Sequence, residues 1–299
     1  MTQWTARRGR AHHIVGILSL LLAFGPIALG CPAPAESGRT ASGEGPTKAP
    51  RILSLSPLAT RFLDQLGLGD RIVPLSPMTP GGSDSPAERA VDFDELARRE
   101  PDFVFLPALP DDRTELAPLE AAGARIVEFA PHDLEDLLAL LQGVGVELAG
   151  KQGVEAFERR VLRPVAMVAG QSSPTDRLRV VAVVGIDPPE IAGGHSFETD
   201  LIEIAGATSL THGADDERRP IDRDGLAALK PDLVLVMTGS ALTSEQRERV
   251  LDLTYGIAPV HDFEFARETF WLDEPVREAT RLRELIVAAE REHASADVR

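Results

Sequence analysis

A chain of 299 residues, 43% of them hydrophobic, has room for one large domain or two lobes with sizeable cores. Its formal charge of −16 includes three arginines and no acid in the first 30 residues, so the remainder carries −19. Such a surface repels phosphate backbones, and no basic run with interleaved aromatics offsets it, which excludes a nucleic-acid partner. Cys31 is the single cysteine, which excludes an intramolecular disulfide and a thiolate metal cluster.

The N-terminus carries Arg7, Arg8 and Arg10, then the apolar stretch "IVGILSLLLAFGPIALG" from Ile14 to Gly30. That order is a secretory signal over residues 1–30. At 17 residues, interrupted by Pro26, the stretch is marginal for a membrane span. "ALGC" (Ala28–Cys31) resembles the bacterial lipoprotein box, although Ala28 stands where Leu is more usual. The resemblance implies that Cys31 is acylated and becomes the mature N-terminus. The competing reading is an incidental cysteine after an uncleaved anchor. Pro32–Pro50 is rich in Pro, Gly, Ser and Ala, cannot bury a core, and reads as a tether over residues 31–50. The expected protein is exported and lipid-anchored, facing the periplasm or the cell exterior.

From Arg51 strands and helices alternate. Arg51–Leu55 reads as a strand, Pro57–Gly67 as a helix opened by Pro and closed by Gly, and Arg71–Ser76 as a second strand. After the breaker-rich loop Pro77–Glu88 come a helix at Asp94–Glu100, a strand at Asp102–Leu106, a helix at Thr114–Gly123 and a strand at Arg125–Phe129. Residues 132–170 carry no strand pattern and read as a helical connector, with Pro164 predicted to bend or locally adjust it. The strand–helix pattern then resumes. It gives strands at Arg177–Gly185, Asp232–Met237 and Ile257–Phe263, a helix at Ser196–Gly206, and a closing amphipathic helix at Glu274–Glu290. The expectation is α/β: two Rossmann-like lobes with parallel sheets, 51–131 and 171–299, joined by a long connecting helix.

An internal echo supports two lobes. "DFDELARREPDFVFL" (Asp92–Leu106) and "DRDGLAALKPDLVLV" (Asp222–Val236) agree at seven of fifteen positions without gaps. Asp92 and Asp222 occupy predicted N-cap positions, where a carboxylate accepts backbone N–H bonds. Asp94 and Asp224 fall in the first turn, where negative charge suits the helix dipole. Capping accounts well for the first pair and less completely for the second.

These pieces, with "RILSLSPLATRFLDQLGLGDRIVPLS", "VAVVGIDPPEIAGGHSFETDLIEIAGATSL" and "EPVREATRLRELI", resemble the cobalamin and iron-siderophore binding proteins of ABC importers. Together they cover most of Arg51–Ala289 in the order of that family. The resemblance implies a monomer that carries a metal-chelate small molecule, with cobalt or iron in the ligand rather than in a resident cofactor. It also implies partnership with an ABC permease dimer and its ATPase. One acid on each lobe, commonly Glu, docks on the permease in that family, and the matching positions are Asp94 and Asp224. Both are one methylene shorter.

In open α/β sheets, ligands bind beyond the carboxyl ends of strands. The candidates there are Ser56, Pro57, Met78, Asp187, His195, Arg218, Arg219, Phe263, Arg267 and Trp271. "FEFARETFW" (Phe263–Trp271) gathers aromatic rings around one cation and suits a flat or macrocyclic ligand, unless Phe263 and Phe265 are core. In "GGHSF" (Gly193–Phe197) the glycines permit close backbone approach, and His195 is a candidate ligand for an iron or cobalt centre. Arg218 and Arg219 suit an anionic chelate, unless Asp215, Asp216 and Glu217 pair with them. The loop Pro77–Glu88 contains no aromatic residue, a departure from cobalamin-gripping members of the family. Three rival readings remain open: an α/β enzyme, a metal-ion receptor, and a lipoprotein that keeps the fold as a sensor or scaffold. The chain shows no G-x-G-x-x-G, G-x-S-x-G, H-E-x-x-H or P-loop motif, so no catalysis is expected.

Overall fold

The computed structural model describes residues 49–73, 91–171, 177–265 and 270–297. Cys31, Met78 and Arg267 lie outside them. The described chain divides into two compact units, one of residues 49–130 with 144–154, the other of 131–143 with 155–297.

The first unit is built on a parallel three-stranded sheet of β1 (Ile52–Ser54), β2 (Phe103–Leu106) and β3 (Arg125–Glu128), in that order. β1 and β2 are buried at every position, as a parallel strand covered on both faces requires. Leu53, Val104 and Leu106 pack with Leu96, Leu116 and Leu119. The Phe129 ring lies 5.0 Å from Phe62, tilted by 43°, and meets Phe105 edge-on at 6.2 Å. The helix Pro57–Gln65 starts where Ser56 Oγ accepts from the Ala59 amide at 3.2 Å, and Gly67, at φ 75°, ends it. The strand expected at Arg71–Ser76 reduces, among its described residues, to a single bridge of Ile72 to Ile52 behind a 3-10 turn at Gly69–Arg71.

In the second unit the chain enters through helices Leu134–Leu140 and Val146–Phe157, the latter broken at Gly150 (φ 66°, ψ 178°) and contributing only its C-terminal residues here. Pro164 lies in the helix Arg163–Ala169, preceded by a π turn at Glu158–Leu162. Pro has no amide hydrogen to donate and its ring crowds the preceding turn, so a locally widened turn is the adjustment expected of it.

The sheet of this unit is mixed, which corrects the expectation of a second all-parallel sheet. β4 (Arg179–Ile186) runs parallel to β8 (Leu233–Thr238), and β8 parallel to β9 (Val260–Glu264). On the other side β5 (Pro189–Ala192) returns antiparallel to β4, and β7 (Arg218–Pro220) antiparallel to β5; β6 (Thr208–Ser209) pairs with the start of β4. The reversal comes at Asp187–Pro188, joined by a cis peptide bond. "DPPE" reads as a loop in sequence, whereas here it is a tight turn that folds β5 back on β4. Val181, Val183, Val234, Val236, Leu226 and Val250 form the core on one side of the sheet.

Candidate functional site

The two copies of the repeated motif place their acids alike. Asp92 Oδ1 accepts from the Glu95 amide at 2.9 Å, and Asp222 Oδ1 from the Gly225 amide at 2.8 Å, so both cap their helices, Phe93–Ala97 and Arg223–Leu229. A left-handed residue stands just before the proline in both copies: Glu100 at φ 50°, two residues past the cap of the first helix, and Lys230 at φ 51°, the cap of the second; these are the two non-glycine residues with positive φ among the described residues. The next acids repeat again. Asp102 Oδ2 accepts from the Arg51 amide at 2.7 Å, and Asp232 Oδ2 from the Arg179 amide at 2.8 Å.

Asp94 and Asp224 differ from these four. Both are exposed first-turn residues, and neither carboxylate has a hydrogen bond or ion pair among the described residues. Two neighbouring arginines are engaged elsewhere: Arg99 pairs with Glu95 at 3.0 Å, and Arg223 donates to the Tyr255 carbonyl at 2.9 Å. The motif thus separates four acids that each accept from a backbone amide from two exposed first-turn acids whose carboxylates accept from none among the described residues.

A polar network lies in the second unit. Asp133 caps Leu134–Leu140 through Oδ1, which accepts from the Asp136 amide at 2.8 Å, while its Oδ2 lies 3.0 Å from His195 Nδ1. The Leu134 amide donates to Asp200 Oδ2 at 2.6 Å, so a second carboxylate serves the same helix start. Burial pushes the Asp200 carboxyl well above the usual range, and burial likewise raises Asp136 and Glu203. His132 pairs with Glu217 at 2.9 Å. Asp133, Asp200 and Glu203 were not singled out in the sequence, because their partners lie in other segments.

His195 is therefore held by a carboxylate, and among the described residues no group of three or more His, Cys, Asp or Glu is placed to hold a metal ion. The glycines before it do permit close approach, but of another part of this chain. A Cβ on Gly193 would come within 2.2 Å of Asp216 atoms, and one on Gly194 within 2.2 Å of the Ala214 carbonyl. Arg219 grips Asp216 through Nε and Nη2 at 3.0 and 3.1 Å, and Arg218 Nε lies 3.9 Å from Glu217. Both arginines are thus paired with the neighbouring acids rather than displayed alone.

The aromatic cluster is packed inward. Phe263 is 3% exposed and Trp271 2%, against the expectation of an open aromatic face. Trp271 lies 5.6 Å from Phe197, Phe263 lies 5.9 Å from Phe265, and the Arg281 guanidinium sits 4.9 Å over the Phe263 ring. The helix Pro275–Asp297 supplies that cation. Asp187 is exposed and ion-paired with Arg249. Ser56 is buried and committed to its helix cap, and Pro57 is exposed beside it.

Comparison with known proteins bears on this arrangement. No curated protein matches the chain. Among solved structures, the chain is similar to the periplasmic haem-binding protein HutB of Vibrio cholerae, with TM-score 0.59 and 15% identity over 80% of this chain and 99% of that one. An ABC transporter substrate-binding protein from Listeria monocytogenes gives TM-score 0.55 and 15% identity over 77% and 98%. An ABC-type Fe3+-hydroxamate transport system protein from Saccharomonospora viridis gives TM-score 0.50 and 16% identity over 80% and 93%. At such identities the likeness establishes the fold. Residues 52–252, two thirds of the chain, match the model of the periplasmic binding proteins, and the chain belongs to that family.

Proposed function

We propose that this protein is the substrate-binding lipoprotein of an ABC importer. It captures a cobalamin, haem or ferric-siderophore chelate and delivers it to a permease on which Asp94 and Asp224 dock. The observation that carries the docking role is the separation of acids within the repeated motif. Asp92, Asp102, Asp222 and Asp232 each satisfy a backbone amide, whereas Asp94 and Asp224 are exposed without a partner among the described residues. An exposed carboxylate that bonds no group of its own chain among the described residues, and adds to it only first-turn charge, is suited to a cation on another molecule when it repeats in both units.

Membership of the periplasmic binding proteins supports export and a binding rather than a catalytic role. The lipid anchor rests on Cys31 and the apolar stretch before it. The chelate class draws on the family resemblance and on structural neighbours described as haem-binding or Fe3+-hydroxamate proteins. The charge of the chain disfavours a nucleic-acid partner.

The test replaces both acids with asparagine. D94N/D224N is expected to lose stimulation of the importer ATPase while binding its chelate as tightly as the unaltered chain. Retained stimulation removes the docking role. Titration with cobalamin, haem and ferric siderophores, followed by tryptophan fluorescence, identifies the cargo; quenching by none of them removes the chelate reading. Cys31→Ser should abolish incorporation of labelled palmitate in cells.

A further inference from the structure

Among the described residues four large hydrophobic side chains are exposed, and two stand one turn apart beside the C-terminal docking acid: Leu251 at 59% and Tyr255 at 75%. Both belong to the Ser244–Thr254 helix and its C-cap, which packs beside the Arg223–Leu229 helix through Val250, Leu253 and Leu226. Arg223 immediately precedes Asp224. Its guanidinium donates to the Tyr255 carbonyl at 2.9 Å and lies 5.8 Å from the centroid of the Tyr255 ring. One arginine side chain thus ties the exposed ring to the residue next to Asp224.

Magnitudes say why an apolar neighbour matters. An exposed ion pair contributes at most about fivefold to an equilibrium constant. Two such pairs reach about 25-fold, far short of the roughly million-fold that separates a micromolar complex from a molar one. Docking by Asp94 and Asp224 alone would therefore be too weak. Tyr and Arg in a fixed arrangement are the side chains that most often concentrate binding energy at interfaces.

We infer that Leu251 and Tyr255, with Asp224, form the C-terminal docking surface of this protein, and that its occupant is a basic and apolar face of one permease subunit. The inference rests on the transport reading above and deepens it. Charge selects the occupant. The chain beyond residue 30 carries −19, which opposes packing of a second copy and favours a partner bearing the opposite sign. The Arg223 contacts hold the ring in place before any partner arrives, which lowers the ordering cost of binding.

The experiment measures binding of the full-length chain to its importer complex in nanodiscs, at low salt and at about 1 M salt, where the screening length is about 3 Å. L251S/Y255A is expected to weaken binding at least tenfold at both salt concentrations, with the melting temperature and chelate affinity unchanged. D94N/D224N, run beside it, is expected to weaken binding at low salt only. A loss below about twofold for the apolar variant overturns the inference; if the acid variant still loses binding, the docking reading survives it. Loss in the apolar variant alone also overturns the inference, because it takes Asp224 out of the surface. Sedimentation supplies another outcome that overturns the inference: a dimer of the unaltered chain that L251S/Y255A dissociates would make the patch a contact between copies.

Discussion

The two copies of the repeated motif share a backbone plan and differ in what surrounds it. In both, an Asp caps the helix, a left-handed residue precedes proline, and a further Asp holds an amide at the start of the neighbouring strand, Arg51 just before β1 and Arg179 at the head of β4. Their variable positions diverge. Phe93 packs against the core of the first unit, where Arg223 reaches out to Tyr255 in the second. Glu95 pairs with Arg99 in the first, where Gly225 lies against Ile221 in the second. Asp92, Asp102, Asp222 and Asp232 hold backbone amides within each unit, while Asp94 and Asp224, also identical, add only first-turn charge to their helices among the described residues. That contrast separates residues kept by folding from residues available to a partner.

The largest effect on this comparison should come from the shared core leucines. Leu226 is fully buried and Leu96 is 6% exposed. Replacing either by Ala is expected to cost about 2–5 kcal/mol, with Leu226→Ala at the upper end, as read by urea unfolding. Equal losses would mean that the two cores pack alike despite their different sheets.

Acidity should separate the units next. Burial raises Asp136, Asp200 and Glu203, all in the second unit. A carboxyl whose folded pKa lies above its unfolded value binds more protons when folded. Its stability contribution is complete below the unfolded pKa, about 4, and is lost as pH rises through the folded value. Amide exchange in peptides of the second unit should therefore slow as pH falls from about 7.5 to about 5, after correction for intrinsic rates. Peptides of the first unit should change less, and Asp200→Asn should flatten the difference. A pH response spread evenly over both units would contradict this.

Smaller effects belong to the caps. Asp92→Ala and Asp222→Ala should each cost about 1 kcal/mol, because both leave one first-turn amide without its acceptor. A thermal melt that distinguishes them would show that the copies are unequal below the level of the motif. The smallest effect is expected at Glu95, whose pair with Arg99 is exposed. Glu95→Ala should cost no more than about 0.5 kcal/mol and should vanish at high salt.

Much of this organisation was legible in the sequence, because it is written in local chemistry. Caps, proline stops and apolar strands gave the repeated motif, the Ser196–Gly206 helix and the adjustment near Pro164. The β4–β5 hairpin was not legible, since Pro188 and Pro189 punctuate a loop and a tight turn alike. The Asp133–His195 and Asp200–Leu134 contacts span 62 and 66 residues, and no local pattern encodes such a pairing. The aromatic run Phe263–Trp271 signalled a cluster without saying which way it faces. Trp271 meets Phe197, and Phe263 meets Phe265 and Arg281, partners that the spacing within the run does not encode.

The paired Asp102 and Asp232 have a consequence for how the strands find their alignment. A hairpin takes its alignment from its turn, but β1–β2 and β4–β8 are parallel and joined by long crossovers, so no turn sets it. A slip of one residue would exchange the two packed faces of a strand, so that its side chains would meet the wrong layer of the core. Each carboxylate grips the amide 51 or 53 residues earlier, just before the first paired positions, Ile52 with Phe103 and Val180 with Leu233. These two aspartates act as index pins: a slipped strand would leave the pin without its amide, so misalignment is penalised at the first rung of the ladder.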